Sequence, residues 1–160
     1  MPTDPASRVL VADSTPHMAS LVGQMLRALG PRIVHEAHDA HRAMFELKRL
    51  PFDILIIDAD LAGLDGAAFT RKLRADAECR NRHIPVIMMS AAPEARRIAE
   101  ARDAGITEFL RKPFAASHLQ TRLESIAANP RSFIEAGTYS GPDRRRRTVG
   151  VGGNERRRQD

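Results

Sequence analysis

The sequence predicts an α/β fold: a doubly wound, five-stranded parallel sheet followed by a disordered arginine-rich C-terminal tail. Three observations lead to it. Short apolar runs alternate five times with stretches of helical period. Several of those runs are apolar throughout instead of at every second residue, as expected of strands buried on both faces. The alternation stops near Asn129-Pro130, beyond which arginine and glycine dominate. Strands that alternate with helices pair in parallel and carry helices on both faces of the sheet.

The strands are expected at 9–12 (VLVA), 33–37 (IVHEA), 53–58 (DILIID), 84–89 (IPVIMM) and 107–110 (TEFL). Between the first two, Met18, Leu21, Val22, Met25, Leu26 and Leu29 form one apolar stripe at helical spacing, and Gly30-Pro31 ends that helix. Ala43, Met44 and Leu47 mark a second helix, and Phe69 and Leu73 a third. A fourth spans 94–104, with Ile98 its only large apolar residue, and is expected to be well exposed. Leu119, Leu123 and Ile126 mark the fifth. An ordered body is thus placed at 7–128 and a tail at 129–160.

Composition narrows the class. A hydrophobic content of 42% in 160 residues supports one full core and a short extension. No apolar run is long enough to span a bilayer. The opening MPTDPASR has no basic patch leading into an apolar run, so no secretory signal is expected and membrane insertion is excluded. The single cysteine, Cys79, can form neither an internal disulfide nor a cysteine metal cluster. A cytoplasmic location fits. The six histidines lack metal-ligand spacing, and His83 and His118 read as surface residues. The net charge of +5 is uneven: residues 1–129 hold 17 Lys+Arg against 16 Asp+Glu, whereas 130–160 hold 8 Arg against 4 Asp+Glu. The tail is therefore the basic part, and its partner should be anionic.

In doubly wound sheets, ligands bind outside the carboxyl ends of the strands at a topological switch point. The polar residues at those ends are Asp13 and Ser14 after the first strand, Asp58 after the third, Ser90 after the fourth and Lys112 after the fifth. A carboxylate, a hydroxyl, a lysine and a further acid on one rim suit phosphoryl transfer onto the carboxylate. Asp58 would be the nucleophile. Lys112 and Ser90 would stabilise charge on the transferring group. A hard cation such as Mg²⁺ would take oxygens from Asp13, Asp58 and a nearby backbone carbonyl, with Asp60 completing the metal set. The simpler reading of Asp58 is a solvated acid that ends a buried strand.

Four segments, VLVADSTP, IIDADLAGLDG, PVIMMSA and EFLRKPF, resemble in order and spacing those of the response-regulator receiver family over roughly residues 7–128. The resemblance implies a flavodoxin/CheY-like fold and a two-component signalling module that is not itself an enzyme. A histidine kinase would be its phosphodonor. It further implies that Asp58 accepts phosphate, that Ser90 and Lys112 contact it, and that the Lys112-Pro113 bond is cis. Phe109 falls where the family has its aromatic switch residue. Two positions depart from the pattern. Ser14 replaces an acid at the more direct metal ligand, so Mg²⁺ binding is expected to be weakened and phosphoryl transfer slow or absent. Ala62 stands where proline is common, a change expected to alter only loop stiffness.

The tail holds too few apolar groups to fold alone. It does hold a repeat. Gly141-Pro142-Asp143-Arg144-Arg145-Arg146, extended by Arg147, is echoed 12 residues later by Gly153-Asn154-Glu155-Arg156-Arg157-Arg158. A merely cationic tail has no need for an acid at the same place in each unit. Arginine can donate two hydrogen bonds to guanine O6 and N7, and a carboxylate can accept from guanine's donor edge. Guanidinium planes also stack on bases and hold phosphates. Two copies suit a ligand with two guanines and two phosphates, such as cyclic di-GMP. Gly141 would let the backbone approach it closely, and the tail would order on binding. Binding of nucleic acid or of an anionic membrane surface by the arginine runs is the weaker reading; the body has no nucleic-acid motif and the tail only one tyrosine to stack. A receiver that ends in YSGPDRRRR and GGNERRR resembles the Cle family, CheY-like effectors with arginine-rich cyclic di-GMP-binding tails. That resemblance implies control of flagellar motility through the motor switch protein.

Overall fold

The computed structural model describes residues 7–91, 94–128, 133–136 and 139–142. Five strands, β1 (Ser7–Ala12), β2 (Arg32–Ala37), β3 (Ile54–Asp58), β4 (Val86–Ser90) and β5 (Glu108–Arg111), alternate with five helices. The helices are α1 (Pro16–Ala28), α2 (Ala40–Arg49), α3 (Gly66–Ala75), α4 (Ala95–Ala104) and α5 (Ala116–Ala128). The strands form one sheet in the order β2-β1-β3-β4-β5, with every neighbouring pair parallel.

Alternation along the central strands divides the core into two layers. Leu10, Ala12, Leu55, Ile57, Val86 and Met88 face α2, α3 and α4, and meet Leu47, Phe69, Leu73 and Ala101 there. Val9, Val11, Ile56, Ile87 and Met89 face α1 and α5, and meet Val22, Leu26, Leu119 and Leu123. Both faces are covered, which is why these strands read as unbroken apolar runs. The fourth helix packs through its small residues: Ala101 and Ala104 are its buried positions, while Ile98 is only half-buried.

Helix ends follow local chemistry. Asp39 Oδ1 accepts the Arg42 N–H at 2.8 Å, and Asp65 Oδ1 accepts the Ala68 N–H at 2.9 Å. Each satisfies an amide that the first helical turn leaves without a partner. Pro16 opens α1, where its missing N–H costs nothing. Gly105 ends α4 at φ 103°, a left-handed cap that favours glycine.

Part of the tail differs from expectation. Strands β6 (Phe133–Ala136) and β7 (Tyr139–Pro142) pair antiparallel, with Phe133 opposite Pro142 and Ala136 opposite Tyr139. A two-stranded ribbon alone is marginal in water. Here β7 lies against α3 and α4, and Gly141 and Pro142 are buried. Within the tail expected from 129, residues 133–136 and 139–142 thus pair as two short strands, of which β7 lies on the body. Among the described residues, no helix is long and apolar enough to cross a membrane.

Candidate functional site

Strand order and register place the site. The chain turns from β1 to β2 on one side and then to β3 on the other, so the switch point lies between β1 and β3. Ala12 stands opposite Ile57, which brings the following residues, Asp13 and Asp58, side by side at the carboxyl rim. Asp58 in turn stands opposite Met89, one residue short of Ser90. Ser90 stands opposite Arg111, one residue short of Lys112. Four residues far apart in the chain thus share one rim, as the sequence predicts.

Lys112 ties the two acids together. Its ammonium donates to Asp58 Oδ1 at 2.9 Å and to Asp13 Oδ2 at 3.3 Å. Asp13 is almost fully buried, and its other oxygen accepts the Thr15 N–H at 2.9 Å. Burial works to lower the Lys112 pKa, but the hydrogen bond and charge of Asp58, followed by those of Asp13, together outweigh it and hold the pKa above the ordinary lysine value. The Lys112–Pro113 bond is cis, and the Lys112 N–H donates to the Ser90 carbonyl at 2.9 Å, which ties the end of β5 to the end of β4. Ser90 itself is buried.

Gly66, the first residue of α3, lets that helix approach Asp58 closely. A Cβ there would lie 2.8 Å from the Asp58 carbonyl oxygen and 3.0 Å from Met88 Cε. The Gly66 N–H donates to the Ala59 carbonyl at 2.9 Å, and the Ala59 N–H to the Met89 carbonyl at 2.8 Å, which pins the chain just after Asp58.

The other proposed residues fall in different places. Phe109 is half-buried and lines a cleft between α3 and α4 with Ser90, Met88, Arg97 and Ile98. Its carbonyl accepts a bond from Arg122 Nε on α5. The Asp60 carboxylate meets Arg97 Nη2 on α4 at 3.1 Å. Among the described residues, no group of three His, Cys, Asp or Glu side chains could hold a metal ion. As a metal residue Asp60 could therefore offer only its backbone carbonyl. Asp13 and Asp58 still fit a divalent cation, because Mg²⁺ is commonly held by one or two carboxylates with water completing its shell.

Two residues carry more than their sequence context suggests. Ser14 Oγ accepts the Ala62 N–H at 2.7 Å, joining the loop after β1 to the loop after β3. Ala62 is thus not a matter of stiffness alone, since its amide is in use. His118, expected to be a plain surface residue, is exposed, yet its Nδ1 accepts the Ala115 N–H at 3.0 Å at the start of α5. Of the proposed tail residues, Gly141 lies buried in β7. Asp143, Arg144, Arg145, Arg146, Arg147, Asn154, Glu155, Arg156, Arg157 and Arg158 lie outside the described residues.

Comparison with known proteins agrees with this geometry. The chain is 34% identical over 119 residues to the chemotaxis protein CheY-3 of Vibrio cholerae, covering 74% of this chain and 90% of that one. It is also 34% identical to the chemotaxis protein CheY of Pseudomonas aeruginosa, covering 74% and 94%. Among solved structures, CheY4 of Vibrio cholerae superposes with a TM-score of 0.70 at 22% identity, covering 76% of this chain and 99% of that one. The receiver domain of a Pseudomonas aeruginosa sensor histidine kinase, solved with a magnesium ion in its active-site cleft, superposes at 0.67 with 28% identity, covering 75% and 96%. Residues 9–124 match the response regulator receiver domain model, and the chain belongs to that family.

Proposed function

We propose that this chain is a CheY-like signalling effector that binds cyclic di-GMP through its arginine-rich tail and acts on a protein partner, the flagellar motor switch, through its receiver body. The observation that carries the reading is the repeated unit of glycine, acid and three arginines. Its place in the chain adds support. The first unit begins at Gly141, in the strand that lies against α3 and α4, and its acid follows directly after Pro142. A ligand gathered by these residues would therefore be tethered to the body. Calorimetric titration of the full chain with cyclic di-GMP tests the reading. Micromolar or tighter binding is expected, lost on substitution of Asp143 and Glu155 by alanine although that change makes the tail more basic. Absence of heat, or binding that rises when the acids are removed, would overturn it; the latter is the behaviour of a general polyanion binder.

A second reading is favoured by the bond from Lys112 to both Asp58 and Asp13. In it the receiver body accepts a phosphoryl group on Asp58 from a histidine kinase, as a further input to the same body. Asp58 attacks at phosphorus, while Lys112 and Ser90 meet the charge on the transferring group. Asp13 and Asp58 would hold Mg²⁺, which when bound neutralises charge on the phosphoryl oxygens. Incubation with a small phosphodonor and Mg²⁺, followed by intact-mass measurement, should add one phosphoryl group to the chain and none to the Asp58→Asn variant. An unchanged mass in both would overturn this reading and leave the first one standing.

A further inference from the structure

The two positions at which the chain departs from its family's pattern, 14 and 62, touch each other. The Ala62 N–H donates to Ser14 Oγ at 2.7 Å across 48 residues of sequence. The bond joins the loop that follows Asp13 to the loop that follows Asp58. A proline at 62 has no N–H and could not make it. Gly63, the next residue, has φ 91°, a left-handed conformation that favours glycine. The chain keeps a backbone donor at 62, and that donor is spent on the side chain at position 14.

We propose that Ser14 and Ala62 form a latch that holds the two acid-bearing loops together without a cation and withholds the side chain at 14 from one. The Ala62 carbonyl extends the hold, since it accepts the Ala40 N–H at 2.9 Å and ties the same loop to the start of α2. The loops keep their spacing whether or not a cation is present. Ser14 and Ala62 are positioning residues: they act through Asp13 and Asp58, which keep their own bonds to Thr15 and Lys112. The inference rests on the reading of Asp13 and Asp58 as the cation-holding pair.

The test is a double-mutant cycle on the full chain. Mn²⁺ is the probe, followed by the paramagnetic resonance of the free ion, and amide exchange at Ala62 is measured in parallel. Circular dichroism checks that each variant is folded. The Ala62 amide should exchange about tenfold faster in Ser14→Ala than in wild type, and at the wild-type rate in Ser14→Thr, which keeps the hydroxyl. Ala62→Pro should tighten Mn²⁺ binding severalfold where Ser14 is present and leave it unchanged in the Ser14→Ala background. Ser14→Asp should tighten it by about tenfold, by adding a charged oxygen ligand. An Ala62 amide indifferent to Ser14→Ala, or an equal effect of Ala62→Pro in both backgrounds, would overturn the latch alone. Failure of Ser14→Asp to bind Mn²⁺ would overturn the acid-pair reading and the latch with it.

Discussion

Replacing Lys112 with methionine keeps a long unbranched stem and removes the ammonium between two carboxylates. In the folded chain the side chains of Asp13, Asp58 and Lys112 are 2%, 13% and 18% exposed, so water can replace little of what is lost. Breaking a buried ion pair by removing one partner costs about 3–5 kcal/mol, because the remaining charge stays buried without compensation. Two features place the cost at the lower end. Asp13 keeps its bond from the Thr15 N–H, and Asp58 is partly open to solvent. The expected loss is therefore about 3 kcal/mol at neutral pH. Urea unfolding measures it: with a slope of roughly 2 kcal/mol per molar, the midpoint should fall by about 1.5 M and the slope should not change. Millimolar Mn²⁺ should recover part of the loss in the variant and do much less in the wild type, since the ion would take the place of the missing ammonium. A loss below about 1 kcal/mol would show that the acids are adequately solvated without Lys112. A loss that Mn²⁺ does not reduce would show that packing, not charge, is what the substitution removes.

Two further outcomes follow from the same site. The folded-state pKa of Lys112 is raised, so its stabilisation is complete below the unfolded value of about 10.4 and is lost as pH rises through the folded value. Wild-type stability, measured by chemical denaturation at stepped alkaline pH, should fall more steeply through that window than the stability of Lys112→Met; equal slopes would refute the assignment. Gly66→Ala places a methyl group against the Asp58 carbonyl and Met88. Overpacking of about 1–3 kcal/mol should exceed the roughly 1 kcal/mol gained in helix propensity, which leaves a net loss of stability and slower phosphorylation of Asp58 in the phosphodonor assay.

The rim of the sheet was legible because of contrast. Strands buried on both faces are apolar throughout, so Asp13, Asp58 and Ser90 stand out as the residues that break the runs. What stayed hidden depends on contacts distant in sequence. Arg74 reads as a charge on a helix surface, yet it is almost fully buried and donates to the carbonyls of Gly105, Arg82 and Ile84. Asn81 reads as a loop residue, yet it bonds Phe52, Leu47 and Leu50 across 29 or more residues. The hairpin had no local signal, because β7 contains glycine and proline, both poor strand formers, and depends on α3 and α4 for its support. The partner of the Asp60 carboxylate was hidden for the same reason: it meets Arg97, 37 residues further along the chain.

The charge at the rim bears on how the two proposed inputs would share one body. Asp13, Asp58 and the Lys112 cation together leave one net negative charge where an acid at position 14 would leave two. The missing charge weakens attraction for a divalent cation, and it equally weakens repulsion of an anionic phosphodonor. On the proposed phosphoacceptor reading, Ser14 would make the site less dependent on metal without removing the acceptor. Asp58 remains in contact with Lys112, and Phe109 still lines the cleft beside Ser90. That cleft runs between α3 and α4, the two helices against which β7 lies. A change in the packing of those helices would be felt at β7, and a change at β7 would be felt by the same helices. Thermodynamic linkage then requires reciprocity: if tail ligation alters the affinity of the rim for a cation, cation binding must alter the affinity of the tail for its ligand by the same factor.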